Sequence, residues 1–170
     1  KAKKNKHNKT NVQKVISEAI KSTISNHLVS DVPIGVLLSG GIDSVSLIAH
    51  LKDLNQNIQG ITISFKEYEN SKVDEVPRAK KVAKYYKINH HVRTVTKEEF
   101  QKDLPLILNA MDQPSIDGIN TWYACKAASE LKLKVVLSGI GGDELFFGYP
   151  SFNQIPTLVK LINWIKVIPG

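Results

Sequence analysis

Two segments of the chain combine residue types in an order that suits one chemistry, the holding of a phosphate chain. The first is Leu38-Ser39-Gly40-Gly41-Ile42-Asp43-Ser44. Gly40 and Gly41 can take backbone angles closed to other residues and let amide groups approach an anion closely. A helix beginning near Asp43 would turn its unpaired amides and its dipole toward the same point. Ser39 and Ser44 add hydroxyl donors. A Walker loop would end in Gly-Lys-Ser/Thr, but here that position is acidic, and an aspartate beside a polyphosphate repels it unless a cation sits between them. Mg²⁺ takes one or two carboxylates together with phosphate oxygens, so Asp43 reads as its ligand. The plainer alternative is a tight turn with Asp43 as a helix cap.

The second segment, Leu137-Ser138-Gly139-Ile140-Gly141-Gly142-Asp143-Glu144, echoes the first. A serine ends an apolar run, glycines follow, and an acid comes next. In an open parallel sheet, ligands bind beyond the carboxyl ends of the strands at a topological switch point. If the runs 34–38 and 134–138 are neighbouring strands, Asp43 and Asp143 converge on one Mg²⁺–triphosphate. Otherwise the two segments are unrelated capped turns.

The elements that must position these loops follow from periodicity. Val12, Val15, Ile16, Ala19, Ile20, Ile24 and Leu28 form an amphipathic helical stripe over 11–29. Residues 34–38 form a short apolar run suited to a buried parallel strand, and 45–54 are helical in pattern. Gln59-Gly60 marks a break before a β-rich run at 61–65. A helix is expected over 73–86, with Pro77 in its first turn, and a third strand over 91–95. Helices over 100–111 and 120–131 are separated by Pro114 and Gly118, and a fourth strand covers 134–138. Alternating strands and helices predict an α/β fold, an open, mostly parallel sheet with helices on both faces. The segment 155–168 is apolar almost all round, which suggests that it is covered by a surface outside this chain or by a second copy in a homodimer.

At 170 residues the chain has the length of one domain. A single cysteine, Cys125, excludes an internal disulfide or a multi-cysteine zinc site and suits a reducing, cytoplasmic setting. No run approaches the ~18 apolar residues of a membrane span. Of the net charge of +7, residues 1–10 carry five lysines and no acid. Residues 1–10 therefore read as a basic tail or linker, either solvated or a weak polyanion-binding arm, and residues 11–170 as a nearly neutral domain, so nucleic acid is not the expected partner. His90-His91 is a poor metal pair, because adjacent strand residues point to opposite faces. Asp74-Glu75 reads as a helix cap or a pocket pair. Cys125, Trp122 and Tyr123 read as packing residues.

The two loops together resemble the PP-loop ATP pyrophosphatase superfamily. More narrowly, they resemble the synthetase domain of the glutamine-hydrolysing asparagine synthetases. The narrower resemblance rests on Asp31-Val32-Pro33-Ile34-Gly35, on Met111 to Gly118 and on Leu137 to Tyr149, and it extends over about residues 12–168. It implies a pocket for ATP and Mg²⁺, with Leu37, Ile63, Ser138 and Gly139 toward the adenosine. Ser39, Gly40, Gly41 and Ser44 would cradle the pyrophosphate, and Asp43 and Asp143 would hold the metal. The implied reaction is adenylation of the side-chain carboxylate of aspartate, then attack by glutamine-derived ammonia to give asparagine.

Three departures accompany the resemblance. Ile140 stands where the family's second loop carries a glutamate. The chain contains no glutaminase half, and the family's catalytic lysine would fall beyond Gly170, so no catalytic residue is assignable. The expected function is thus an ATP-dependent amide-forming synthetase domain, truncated at its C-terminal end. Alternatives are a related PP-loop amidotransferase acting on another carboxylate, an RNA-modifying PP-loop enzyme, and a nucleotide-binding module without activity.

Overall fold

The computed structural model describes residues 9–28, 32–54, 57–113 and 115–165. Asp31, Pro114 and residues 1–8 of the basic tail lie outside the described residues, whereas Lys9 and Thr10, read as the end of that tail, belong to the first helix. The chain divides into two compact units, residues 1–138 and 139–170.

The first unit runs α1 (Lys9–His27), β1 (Ile34–Leu37), α2 (Ile42–Asp53), β2 (Ile58–Phe65), a 3₁₀ turn (Lys66–Tyr68), α3 (Val76–Tyr86), β3 (Asn89–Val95), α4 (Lys97–Ala110), α5 (Ile116–Glu130) and β4 (Val135–Leu137). All strand pairs are parallel, in the order β3-β2-β1-β4. The chain steps outward from β1 to β2 to β3, then crosses back through α4 and α5 to lay β4 on the free side of β1. That reversal is the switch point of an open α/β sheet, and it falls between β1 and β4.

Helices cover both faces. On one, Ile24 of α1, Ile48 and Leu51 of α2 and Ala79 and Ala83 of α3 close over Val36, Leu38 and Ile58. On the other, Ala127 and Ala128 of α5 meet Ile61 and Leu133, with Leu37 and Ile63 alongside. Val36 and Leu38 are almost wholly buried, each stabilising the fold by roughly 1.5–3 kcal/mol through removal of apolar surface from water.

Several boundaries differ from those read off the sequence. Gln59-Gly60 is no break but part of β2. A Cβ on Gly60 would come within 3.3 Å of Ile88 and 3.4 Å of Leu38, so the glycine serves close packing inside the strand. Gly118 likewise lies inside α5, where the Met111 side chain occupies the space a Cβ would need. Helix α2 begins three residues before its apolar pattern. The start of α3 is set by Asp74, which accepts from the Val76 amide through Oδ1 and from the Asn70 amide through Oδ2, both at 3.0 Å. Lys87 in the left-handed region ends that helix (φ 52°). Thr96 caps α4 by accepting from the Glu99 amide.

An ion-pair network ties β3, α4 and α5 together. Arg93 pairs with Glu99 at 2.5 Å and Glu130 at 2.9 Å, while Lys126 reaches Glu99 at 2.7 Å and the buried Asp103 at 2.5 Å. Hydrogen bonding from Arg93, supplemented by Lys126, holds the Glu99 carboxyl down to about 2. The fully buried Tyr123 ring lies beneath both cations, at 5.7 and 5.9 Å.

The second unit holds α6 (Gly142–Phe146) and α7 (Ser151–Ile165). Ile155, Leu158, Val159, Leu161 and Ile162 of α7 are exposed, so this part of the apolar segment 155–168 is not covered within the chain; residues 166–168 lie outside the described residues. No described helix is long and apolar enough to cross a membrane.

Candidate nucleotide site

The first loop leaves the sheet at Leu38, whose amide donates to the Ile61 carbonyl at 2.8 Å and whose carbonyl accepts from the Thr62 hydroxyl. This anchoring fixes where the turn begins. Gly40 then takes φ +76°, open to glycine but costly to other residues. A Cβ there would stand 2.8 Å from Arg78 Cβ and 3.1 Å from the Ala79 amide nitrogen, so the loop lies directly against the first turn of α3.

Gly41 is the N-cap of α2 and offers no side chain to its amides. The turn is held from within instead. The Gly41 amide donates to Ser39 Oγ at 3.2 Å, and Ser44 Oγ donates to the Gly41 carbonyl at 3.1 Å. With the Ser44 proton so used, the 3.1 Å contact between the two hydroxyls has Ser39 as donor. Asp43 sits in the first turn of α2 rather than at its cap. Its carboxylate is half-buried and makes no hydrogen bond or ion pair among the described residues. A helix N-terminus without a side-chain cap beside an uncommitted carboxylate suits a phosphate and a hard cation together.

Strand β4 pairs with β1 in the register Ile34↔Val135, Gly35↔Val136 and Val36↔Leu137. The runs 34–38 and 134–138 are therefore neighbouring parallel strands, ending at Ser39 and Ser138 on the same edge of the sheet. Leu37 and Ile63 are half-buried on the α5 face, and Ser138 is exposed.

Within the second unit, Gly141 is the left-handed N-cap of α6 (φ +96°). Asp143 is half-buried in the first turn of α6, its carboxylate lying where a Cβ on Gly148 would fall. The Gly148 amide donates to the Asp143 carbonyl at 2.9 Å. Glu144 accepts from the Tyr149 hydroxyl at 2.8 Å, which holds its carboxyl below the ordinary value. Ile140 is largely exposed.

Other candidates resolve differently. His90 Nε2 lies 2.8 Å from the Thr62 hydroxyl, whereas His91 is exposed, and no metal-binding group of three His, Cys, Asp or Glu occurs among the described residues. Tyr123 is buried as anticipated, but Cys125 is exposed, a correction to its reading as a packing residue. One position of helix separates it from the buried Ala124, enough to rotate it off the core face. It lines a cavity of about 440 Å³ between α4 and α5, with Met111, Asp117, Gly118, Thr121 and Trp122. The close approach of Arg78 to Gly40 was not foreseen from sequence; the small Ala79 beside it is the one local sign of a tight contact.

The family model described as asparagine synthase matches residues 15–168. Among curated relatives, asparagine synthetase [glutamine-hydrolyzing] 1 of Bacillus subtilis is 33% identical over 92% of this chain. A putative asparagine synthetase [glutamine-hydrolyzing] 2 of Methanocaldococcus jannaschii is 32% identical over 92%. The chain spans 26% and 30% of the length of these two relatives. Among solved structures, an NH3-dependent NAD synthetase from Campylobacter jejuni aligns with 80% of this chain and 60% of its own, at a TM-score of 0.51 and 19% identity. That likeness shows the α/β PP-loop fold. With the family model matched from α1 to the end of α7, the chain belongs to the asparagine synthase family.

Proposed function

We propose that this chain is the nucleotide-binding part of an ATP-dependent, amide-forming synthetase that activates a carboxylate, aspartate in the first instance. The observation that carries the proposal is the pairing of β1 with β4, since two serine–glycine turns leave adjacent strands at the switch point of the sheet. In the proposed site, the loop at Gly40 and Gly41 and the start of α2 receive the pyrophosphate portion of ATP, and the Ser39 and Ser44 hydroxyls, which bond within the turn here, would exchange those internal bonds for phosphate oxygens. Leu37 and Ile63 offer apolar surface to the adenine, and Ser138 and Gly139 offer polar contacts.

Asp43 and Asp143 are the proposed holders of Mg²⁺. The residues fit such an ion, because the Asp43 carboxylate has no hydrogen-bond or ion-pair partner among the described residues and carboxylate oxygen is the donor that Mg²⁺ prefers. Bound there, the ion would neutralise charge on the leaving pyrophosphate. The chain's own contribution is alignment and charge stabilisation. A carboxylate oxygen attacks the α-phosphorus, the bond to pyrophosphate breaks, and ammonia then attacks the acyl carbon and expels AMP. Ammonia would come from a glutaminase domain of the longer protein type to which the relatives belong.

One observation favours a second reading. Ile140 puts an exposed apolar side chain where the resembled family has a carboxylate, which suits amidation of a carboxylate other than aspartate, such as that of a modified sugar. The experiment is carboxylate-dependent exchange of labelled pyrophosphate into ATP across a panel of acids. Exchange with aspartate alone supports the first reading, and exchange with another acid alone supports the second. ATP binding with no exchange on any acid would leave a binding module, and the absence of both would overturn the nucleotide proposal.

A further inference from the structure

The loop that ends in Gly-Lys-Ser/Thr in Walker proteins carries its own cation. In this chain that position is Asp43, and the loop contributes only dipoles, hydroxyls and a negative charge. A polyphosphate held there needs positive charge from another element. The structure supplies one at close range. Gly40 is packed so tightly against α3 that an added Cβ would stand 2.8 Å from Arg78 Cβ and 3.1 Å from the Arg78 carbonyl carbon.

The Arg78 side chain is thus rooted at the wall of the loop, and its stem is long enough to carry the guanidinium across it. It is exposed, and among the described residues it makes no hydrogen bond or ion pair. The carboxylate that feels its charge, Glu75, lies on the preceding turn and does not bind it. By contrast, Arg93 is fully committed to Glu99 and Glu130. An unengaged planar fork beside an anion cradle is suited to two phosphate oxygens at once.

We propose that Arg78 is a phosphate-binding residue of the nucleotide site, its guanidinium taking oxygens of the β- and γ-phosphates that leave as pyrophosphate. The inference rests on the nucleotide reading of the loop given above. It assigns to α3 the cation that the loop itself lacks.

Titration calorimetry on the whole 170-residue chain tests it, with ATP, pyrophosphate and AMP as probes, each in Mg²⁺ and in EDTA. Arg78→Ala should weaken ATP and pyrophosphate on the order of 10- to 100-fold, the worth of charge-assisted hydrogen bonds. It should weaken AMP by less than about threefold, because AMP lacks the β- and γ-phosphates. The loss should persist in EDTA, since the contact is direct. Arg78→Lys should recover part of the affinity, and Lys84→Ala, further along α3, should change none of it. Wild-type affinity for ATP in Arg78→Ala, or an equal loss for AMP, would overturn the assignment. If the wild-type chain binds neither ATP nor pyrophosphate, the nucleotide reading itself fails, an outcome distinct from binding that ignores Arg78.

Discussion

Alanine at Gly40 perturbs the loop in two ways at once. The native φ of +76° lies in the left-handed region, where a Cβ costs about 1–2 kcal/mol. The same Cβ would stand 2.8 Å from Arg78 Cβ, closer than real Cβ atoms come, and a tight 3.1 Å from the Ala79 amide, and forcing α3 away costs about 1–3 kcal/mol more. Together the substitution should destabilise the chain by about 2–5 kcal/mol, a large share of a total that for domains of this size is about 5–15. At about 2–4 °C per kcal/mol, the midpoint of thermal unfolding should fall by about 4–20 °C. Gly41→Ala is the internal control. Its φ is −77° and the nearest atom to an added Cβ is Ser39 Oγ at 3.3 Å, so the cost should stay below about 1 kcal/mol. Urea unfolding of both variants, with unchanged m, reads the difference. Equal stability of the two would refute the claim that the loop is clamped against α3.

Two further predictions concern the ion-pair network. Lys126→Met leaves the buried Asp103 carboxylate without its cation; with Lys126 a third exposed, the cost should be roughly 2–4 kcal/mol, and a urea midpoint equal to wild type would show that the pair carries no stability. Glu99 has a folded carboxyl held at about 2, below its unfolded value of about 4.3. Its stabilising contribution, of order 2–3 kcal/mol, is therefore complete above pH ~5 and is lost as pH falls toward 2. In Glu99→Gln the decline of stability over that window should be visibly shallower, and an unchanged acid limb would contradict the assignment.

The core architecture was readable because it rests on local periodicity. Ile34 to Leu38, Ile61 to Phe65 and Lys134 to Ser138 announce strands of a parallel sheet, and glycine-rich turns follow the first and last of them. What was misread depended on neighbours distant in sequence. Gly60 and Gly118 look like breaks, but each makes room for a side chain from elsewhere, Ile88 and Met111. The start of α2 at Ile42 carries no apolar pattern, because Ile42 is 87% exposed and the residue that this turn buries is the polar Ser44. Cys125 shares a helix with Ala124 and Ala127, yet rotation about the axis puts it outside. Arg93, Glu99, Asp103, Lys126 and Glu130 come from three elements, and nothing in their spacing announces that they meet.

The candidate site divides along the same line. The serine–glycine order of the first loop is legible locally, but the bond that Ser39 and Ser44 make to each other within the turn is not what their reading as phosphate donors anticipates. The cation beside the loop was not legible, since Arg78 reaches Gly40 only through the packing of α3 against the loop.

Under the proposed function, Asp43 and Asp143 act on one magnesium-loaded nucleotide. A double-mutant cycle on MgATP affinity tests it most directly, using wild type, Asp43→Asn, Asp143→Asn and the double variant. A shared ion predicts that each single change weakens binding more than about tenfold and that the second adds little to the first, a coupling of at least about 1 kcal/mol. Independent, multiplicative losses, or single variants that bind MgATP as wild type does, would contradict it.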